Sequence, residues 1–269
     1  MTIIKANNIN IYYETTGTGP DLILIGGLTT NHNIWSLMVN NLSKFFRVTT
    51  LDNRGAGQSS QPKKEYSIDA MAKDIAELMT FCQISSAFVV GHSMGGAITQ
   101  KLCINYPEKV KAAVIASSIA KLPKTAQIHI ESIIKLIDSG INQDLILETV
   151  FPWIYGNSFL ESESNIQSEL TRIKQDPYPQ SYDGYVGQVH SLLKHNTLDE
   201  IANIECPTLV IVGQDDLITP IKHSKLLVDR IPNAQFEIIP DCGHMLHREQ
   251  PKIFTEHIVS FFHNRKDVF

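Results

Sequence analysis

The clearest structural signal in the sequence is Val89-Val90-Gly91-His92-Ser93-Met94-Gly95-Gly96. The apolar run Ala87-Phe88-Val89-Val90 predicts a buried strand, and the apolar positions between Ala97 and Leu102 recur at helical spacing. A strand, a tight turn and a helix are the context in which Gly-x-Ser-x-Gly presents a nucleophilic serine at the end of a sheet. The sequence therefore predicts that Ser93 is a reactive nucleophile.

Small residues surround this serine on both sides. A turn this sharp leaves no room for side chains beside Ser93, which explains Gly91 and Gly95, and Gly96 would let the helix cross the sheet closely. The backbone N–H of Met94 is expected to point toward the same place as the serine hydroxyl, beside a helix N-terminus that favours developing negative charge.

Strand and helix patterns alternate along most of the chain. The continuous apolar run Leu22-Ile23-Leu24-Ile25 is typical of a parallel strand covered on both faces. Further strands are predicted at 46–51, 110–117, 207–212 and 234–239. The partly alternating segment Ile9-Asn10-Ile11-Tyr12-Tyr13-Glu14 predicts an edge strand. Strands that alternate with helices specify an α/β fold with a parallel sheet.

The alternation stops after Ser118, and residues 119–200 contain no convincing strand pattern. We interpret them as a helical insertion, or cap, that lies over one end of the sheet. The core domain would then consist of residues 1–118 and 201–269. The alternative is that these helices simply continue the core.

Composition excludes several classes of function. The formal net charge is -5 and there is no run of basic residues, which argues against a nucleic acid or an anionic membrane surface as partner. The 4 cysteines are scattered, with neither metal-site nor disulfide spacing. No apolar run is long enough to span a membrane, and the N-terminus lacks a leader pattern, so we expect a cytoplasmic protein with no metal.

Two further residues complete a catalytic hypothesis. A serine hydroxyl is a weak nucleophile at neutral pH, so it needs a base to take its proton and a third group to orient that base. Asp216 follows the strand at 207–212, and His244 follows the strand at 234–239. Open α/β sheets place their sites at the carboxyl ends of parallel strands. The sequence thus predicts that Ser93, Asp216 and His244 meet there.

Neighbouring residues offer alternatives for each partner. Asp215 stands in the same loop as Asp216, and His247 lies close to His244. His92 is adjacent to the serine, but its side chain must point away from the turn and is not expected to reach the hydroxyl. We favour Asp216 because of its position before Pro220, and His244 because a glycine precedes it directly after the last strand.

An acyl-transfer site also needs two backbone donors for the developing oxyanion. Met94 N–H is one candidate. The loop Gly26-Gly27-Leu28 follows the strand at 22–25, and its glycines would let the backbone approach a substrate carbonyl. Leu28 N–H is therefore the second candidate.

These motifs together resemble the α/β-hydrolase fold family, which includes esterases, enol-lactonases, C–C bond hydrolases and cofactor-free haloperoxidases. The resemblance rests on Asp52–Ser59, Gly91–Gly96, Gly213–Pro220 and Gly243-His244, and within the group it is greatest to the 3-oxoadipate enol-lactonase-like hydrolases. It implies a mostly parallel eight-stranded sheet flanked by helices, the Ser-Asp-His triad named above, a cap, and no cofactor. One departure is visible, since Gly26 stands where the family often has histidine.

The function expected from these features is a serine hydrolase that cleaves a small carboxylic ester or lactone through an acyl-enzyme. A C–C bond hydrolase or an acyltransferase would use the same triad, and a receptor with the hydrolase fold could keep it with negligible turnover. Substrate choice should lie in the cap. The side chains proposed for the pocket are the apolar Leu28, Phe151, Trp153 and Tyr182 and the polar His190 and Arg172.

Overall fold

One eight-stranded sheet organises the protein. The computed structural model describes residues 2–63 and 66–263. The strands are β1 (Thr2–Ala6), β2 (Ile9–Thr16), β3 (Asp21–Ile25), β4 (Arg47–Leu51), β5 (Ala87–His92), β6 (Val110–Ala116), β7 (Thr208–Gly213) and β8 (Ala234–Ile239). Their spatial order is β1-β2-β4-β3-β5-β6-β7-β8. Only the pairs β1–β2 and β2–β4 are antiparallel, which confirms the predicted mostly parallel sheet.

The sequence-based prediction for the sheet edge was wrong. The segment at Ile9–Glu14 forms part of β2, which pairs with β1 on one side and with β4 on the other. The edge position belongs to β1, where Ile4 pairs with Ile11. The alternation of apolar and polar residues along a strand shows which of its faces is buried. The position of the strand in the sheet depends instead on the segments that pair with it, which can be far away in the sequence.

Eleven helices of the described residues pack around this sheet and over one end of it. They are α1 (Ser36–Leu42), α2 (Ile68–Phe81), α3 (Met94–Asn105), α4 (Lys124–Asp138), α5 (Gln143–Ile154), α6 (Asn157–Leu160), α7 (Glu163–Lys174), α8 (Tyr182–Lys194), α9 (Ile221–Arg230), α10 (Leu246–Glu249) and α11 (Pro251–His263). Within residues 2–63 and 66–263, none of the helices is both long and apolar enough to cross a lipid bilayer.

The core lies on both faces of the central strands. In β3, Leu22 and Leu24 belong to one apolar cluster, whereas Ile23 and Ile25 belong to the cluster on the opposite face. All four side chains are inaccessible to solvent. Alternate residues of one continuous apolar run thus fill two separate layers, as the run itself predicts for a parallel strand.

The region between β6 and β7 contains α4 to α8 and no strand longer than an isolated bridge from Lys121 to Asn196. That bridge joins the two ends of the helical segment. The division into a core at 1–118 and 201–269 and a cap at 119–200 stays a prediction, and residues 1, 64–65 and 264–269 of that core lie outside the described residues.

Candidate active site

The turn between β5 and α3 holds Ser93 in a strained backbone conformation, with φ 55° and ψ −116°. Such angles are rare for a residue with a side chain, and they occur where the surrounding structure enforces them. A Cβ atom on Gly91 would overlap the Gly95 carbonyl, and one on Gly95 would overlap the Ile25 carbonyl. The flanking glycines are therefore needed for the close approach of three backbone segments around the serine.

Three side chains predicted from the sequence meet at this turn. His244 Nε2 lies 2.9 Å from Ser93 Oγ, and His244 Nδ1 lies 2.8 Å from Asp216 Oδ2. Ser93 follows β5, Asp216 follows β7 and His244 follows β8, so each comes from the carboxyl end of a parallel strand. Asp216 and His244 are only 3% and 4% exposed. This geometry allows the imidazole to accept the serine proton while the carboxylate fixes its tautomer.

Asp216 is held as an anion by its neighbours. Thr219 donates to it twice, from its N–H to Oδ1 at 2.7 Å and from its hydroxyl to Oδ2 at 2.7 Å. Burial acts to raise the pKa of Asp216, but His244 and these hydrogen bonds outweigh burial and hold the pKa below its ordinary value. Thr219 was missed from the sequence, although a hydroxyl residue three positions after an aspartate in a loop is a recognisable local signal.

The alternative carboxylate does not take this place. Asp215 is half-buried, and its backbone N–H donates to the Cys242 carbonyl at 2.9 Å. No side-chain hydrogen bond or ion pair joins it to His244 in the part of the chain that the structure describes. The carboxylate in contact with the imidazole is that of Asp216.

The other two histidines lie behind His244. His247 is fully buried, and its ring packs edge-on against His92 with the centroids 4.5 Å apart. His92 Nε2 lies 2.8 Å from the His244 carbonyl oxygen and so supports the backbone rather than the hydroxyl. Burial lowers the pKa of His92 to about 3 and that of His247 well below its ordinary value. Both rings are therefore neutral at pH 7, and His92 Nε2–H donates to the carbonyl.

The glycine loop after β3 lies directly against the serine. A Cβ on Gly27 would stand 3.1 Å from Ser93 Cβ. In the described segments of the chain, neither the Leu28 N–H nor the Met94 N–H donates a hydrogen bond to a protein acceptor. Both donors are thus free to bind an oxyanion near Ser93, which remains a prediction for their function.

Two side chains hold the loop in which Gly26 replaces the expected histidine. Asn53 Nδ2 donates to the Gly26 carbonyl at 3.0 Å, and the Thr30 hydroxyl donates to the Gly27 carbonyl at 3.0 Å. Asn53 belongs to the loop that follows β4, so the neighbouring strand supplies support that the glycine itself cannot give.

Comparison with known proteins agrees with this fold and geometry. The sequence pattern of the α/β hydrolase fold matches residues 20–251, which is most of the chain. The chain belongs to the α/β hydrolase fold family. The resemblance inferred from the sequence is thereby confirmed.

Three relatives illustrate the range of this family. The hydrolase is 28% identical over 254 residues to the 3-oxoadipate enol-lactonase 2 of Acinetobacter baylyi, with 94% of this chain and 92% of that protein covered. It is also 28% identical over 263 residues to a candidate carbamate hydrolase of Caulobacter sp. (strain K31), with 93% and 95% covered. The thermophilic esterase from Thermogutta terrifontis superposes on 98% of both chains with a TM-score of 0.86 and 25% identity.

Two of the apolar residues predicted to line the substrate pocket, Phe151 and Trp153, lie on α5, whereas Leu28 lies in the loop after β3. Phe151 is buried and packs edge-on against Tyr155, with ring centroids 5.1 Å apart. Trp153 stacks on His129 of α4 at 4.2 Å. The contact between Trp153 and His129 joins α5 to α4. The pocket role of Phe151 and Trp153 stays a prediction.

The remaining residues predicted for the pocket are Tyr182 and the polar residues His190 and Arg172. Tyr182 is 47% exposed, and its hydroxyl donates to Asp138 at 2.6 Å. His190 is exposed, and Arg172 donates to Glu169 at 2.8 Å. Within residues 2–63 and 66–263, none of these side chains makes a hydrogen bond, ion pair or ring contact with the triad. Their contact with a substrate stays a prediction.

The described segments contain no evident metal-binding site. Between residues 2 and 63 and between 66 and 263, no group of three or more His, Cys, Asp or Glu side chains is arranged to hold a metal ion. The groups that the site does provide are a serine hydroxyl, an imidazole, a carboxylate and two N–H donors without a protein acceptor.

Proposed function

We propose that this α/β hydrolase is a serine esterase or lactonase that cleaves a small carboxylic ester through an acyl-enzyme. The observation that carries the proposal is the 2.9 Å distance from His244 Nε2 to Ser93 Oγ, together with the 2.8 Å distance from His244 Nδ1 to Asp216. The names of the relatives, an enol-lactonase and an esterase among them, favour an ester or lactone carbonyl as the target.

Acylation would begin with attack of Ser93 Oγ on the substrate carbonyl carbon. His244 Nε2 accepts the hydroxyl proton in the same step, and the imidazolium that forms is stabilised by Asp216. The carbonyl oxygen becomes an oxyanion, which Leu28 N–H and Met94 N–H would bind. These donors act most strongly in the transition state, because the negative charge on the oxygen develops there.

Collapse of the tetrahedral intermediate breaks the bond between the carbonyl carbon and the alkoxy oxygen. His244 returns its proton to the departing oxygen, so that an alcohol leaves, or in a lactone the hydroxyl end of the opened ring. Water then attacks the acyl-enzyme, and its proton passes to His244 Nε2. The second collapse releases the carboxylic acid and returns the proton to Ser93 Oγ.

The test combines covalent labelling with hydrolysis. A fluorophosphonate probe should label the wild type and not Ser93→Ala, because the probe reacts with an activated serine. Hydrolysis of p-nitrophenyl acetate by Ser93→Ala should fall by about 10⁴-fold or more, with folding unchanged by circular dichroism. Ser191→Ala provides a matched control, since Ser191 is a buried serine whose hydroxyl bonds the Gly187 carbonyl.

Equal labelling of Ser93→Ala and the wild type would refute the proposed nucleophile. A panel of p-nitrophenyl esters, lactones, carbamates and vinylogous diketones then tests the substrate class. Turnover of the diketones without turnover of any ester or lactone would keep the triad and overturn the ester assignment.

A further inference from the structure

The loop that carries His244 is held by the cap as well as by the core. His244 N–H and Met245 N–H both donate to the Ile154 carbonyl, at 3.0 and 3.2 Å. Ile154 is the last residue of α5. The backbone of the candidate base and that of the next residue thus each donate one hydrogen bond to the end of a cap helix.

Glu249 ties the same two segments together with its side chain. Its Oε2 accepts from Gly243 N–H at 2.9 Å and from Gly156 N–H at 2.8 Å, and its Oε1 accepts from Met245 N–H at 3.0 Å. Gly243 and Met245 flank His244 in the chain, whereas Gly156 follows α5 in the cap. One carboxylate therefore bridges both sides of the histidine and the cap.

The two backbone segments approach so closely that side chains would not fit between them. A Cβ on Gly156 would stand 2.9 Å from the Gly243 nitrogen, and a Cβ on Gly243 would overlap the Gly156 nitrogen. Contact at this distance transmits a displacement of one segment directly to the other, because packed interiors have little slack.

We propose that Glu249 is a positioning residue for His244, and that it couples the position of the cap to the orientation of the catalytic imidazole. The inference rests on the proposed function, in which His244 is the base. A misplacement of about 1 Å at a catalytic group can cost a large part of the rate, so the segment that fixes the histidine backbone contributes to catalysis without touching the substrate.

Glu169 is a second buried carboxylate in the same contact region. Its substitution can show whether weaker attachment of the cap alone, without a change in the position of His244, affects catalysis. Glu169 accepts from Arg172 at 2.8 Å and from Arg248 at 2.9 Å, and it also bonds the Tyr155 hydroxyl at 2.7 Å. It therefore joins α7 to α10, as Glu249 joins the cap to the histidine loop. Glu169 accepts no backbone N–H from residues 243–245.

Glutamine at position 249 would disturb the loop in a defined way. Glutamine offers only one acceptor oxygen in place of two. With that oxygen at the Oε2 position, the amide NH₂ group faces the Met245 N–H, so that two donors oppose each other. In the flipped orientation, the bonds from Gly156 and Gly243 are lost instead.

The experiment compares Glu249→Gln with Glu169→Gln, with p-nitrophenyl acetate as the probe. For Glu249→Gln we expect kcat to fall by about 10- to 100-fold with KM within about threefold of wild type. The far-downfield proton NMR signal of His244 Nδ1–H, assigned by its loss in His244→Gln, should shift or broaden. For Glu169→Gln we expect lower thermal stability, but the NMR signal and kcat should stay close to wild type.

Gly156→Ala gives an independent test from the cap side, because its methyl group would press on the Gly243 nitrogen. It should lower kcat and shift the same NMR signal, whereas Gly187→Ala, which adds a methyl group between the cap and Tyr66, should not. This pair decides the matter if Glu249→Gln does not fold.

Two results would overturn the inference. One is an unchanged NMR signal and kcat in Glu249→Gln or in Gly156→Ala. The other is an equal change in Glu169→Gln and Gly187→Ala, which would mean that any weakening of the cap has the same effect. If the wild type hydrolysed no ester, the proposed function would fail, but the NMR comparison would still test the positioning of His244.

Discussion

Two histidine–aspartate pairs lie at the carboxyl edge of the sheet, and their geometry is nearly the same. His244 Nδ1 is 2.8 Å from Asp216 Oδ2, and His32 Nδ1 is 2.8 Å from Asp52 Oδ1. Asp216 follows β7 and Asp52 follows β4. All four residues are buried. An imidazole held by a buried carboxylate is therefore insufficient to identify a catalytic base in this fold.

The difference lies at the other ring nitrogen. His244 Nε2 faces the Ser93 hydroxyl at 2.9 Å, whereas His32 Nε2 faces a second carboxylate, Glu14, at 3.7 Å. Burial acts to lower the pKa of His32, but Asp52 and Glu14 outweigh it and hold the pKa above its ordinary value. His244 therefore faces a hydroxyl group that can give up a proton. The carboxylates around His32 instead favour the protonated, positively charged form of its imidazole.

The pair of His32 and Asp52 supports the backbone around the site. Asp52 Oδ1 also accepts from the His32 N–H at 2.6 Å, and Oδ2 accepts from the Gln58 N–H at 2.8 Å. It thus connects the turn that follows the Gly26-Gly27-Leu28 loop to the loop that follows β4.

The largest difference between the pairs should appear when each histidine is removed. His244→Ala should lower kcat for p-nitrophenyl acetate by about 10⁴- to 10⁶-fold, because the serine then lacks its base. His32→Ala should lower the melting temperature and reduce kcat by less than about 100-fold, through displacement of the glycine loop. Steady-state kinetics and thermal denaturation measure both. A folded His32→Ala protein as inactive as His244→Ala would show that both pairs take part in proton transfer.

Substitution of Asp216 should lower activity more than substitution of Asp52, and each loss should be smaller than that for the histidine of the same pair. Asp216→Asn should lower kcat by about 10³- to 10⁴-fold, because an amide can donate to Nδ1 and so favour the wrong imidazole tautomer. Asp52→Asn should instead destabilise the fold by about 1–3 kcal/mol, measured by urea denaturation, because a buried donor or acceptor is left unsatisfied.

Asp215→Asn is the control for Asp216, since the two residues share one loop and only Asp216 contacts the imidazole. Its kcat should stay within about threefold of wild type. Comparable losses in Asp215→Asn and Asp216→Asn would mean that the loop, rather than one carboxylate, orients His244.

Ser93, Asp216 and His244 could be found from the sequence because each lies in the turn or loop after a predicted strand, and parallel strands bring their carboxyl ends to one edge. The turn glycines mark Ser93 independently. Local sequence patterns are therefore enough to predict His244 and Asp216 together with Ser93.

The other contacts depend on packing between distant segments. Glu14 and His32 belong to different elements, as do Glu249 and Gly156, and no local pattern indicates that they meet. The same holds for β1, whose pairing with β2 decides which strand lies at the edge. Side-chain direction on the helices between β6 and β7 is set by tertiary contacts such as that between Tyr182 and Asp138. For these features, sequence periodicity predicts the helix or strand but not the segments that it packs against.

The smallest expected effect is a pH dependence of stability that belongs to His32 alone. The groups that face its ring are Asp52, Glu14, Asp176 and the ring of Tyr12, at 4.8 Å between centroids. Because its pKa is higher in the folded state than in the unfolded state, its stabilising contribution is fully present below the unfolded value of about 6.5 and is lost as the pH rises through the folded value.

The free energy of unfolding in urea should therefore separate wild type from His32→Gln more at about pH 6 than at about pH 9. The buried neutral His92 and His247 are present in both proteins, so their contributions cancel in the difference. A difference that stayed constant or grew with pH would mean that His32 is neutral in the folded protein, so that burial outweighs the carboxylates beside its ring.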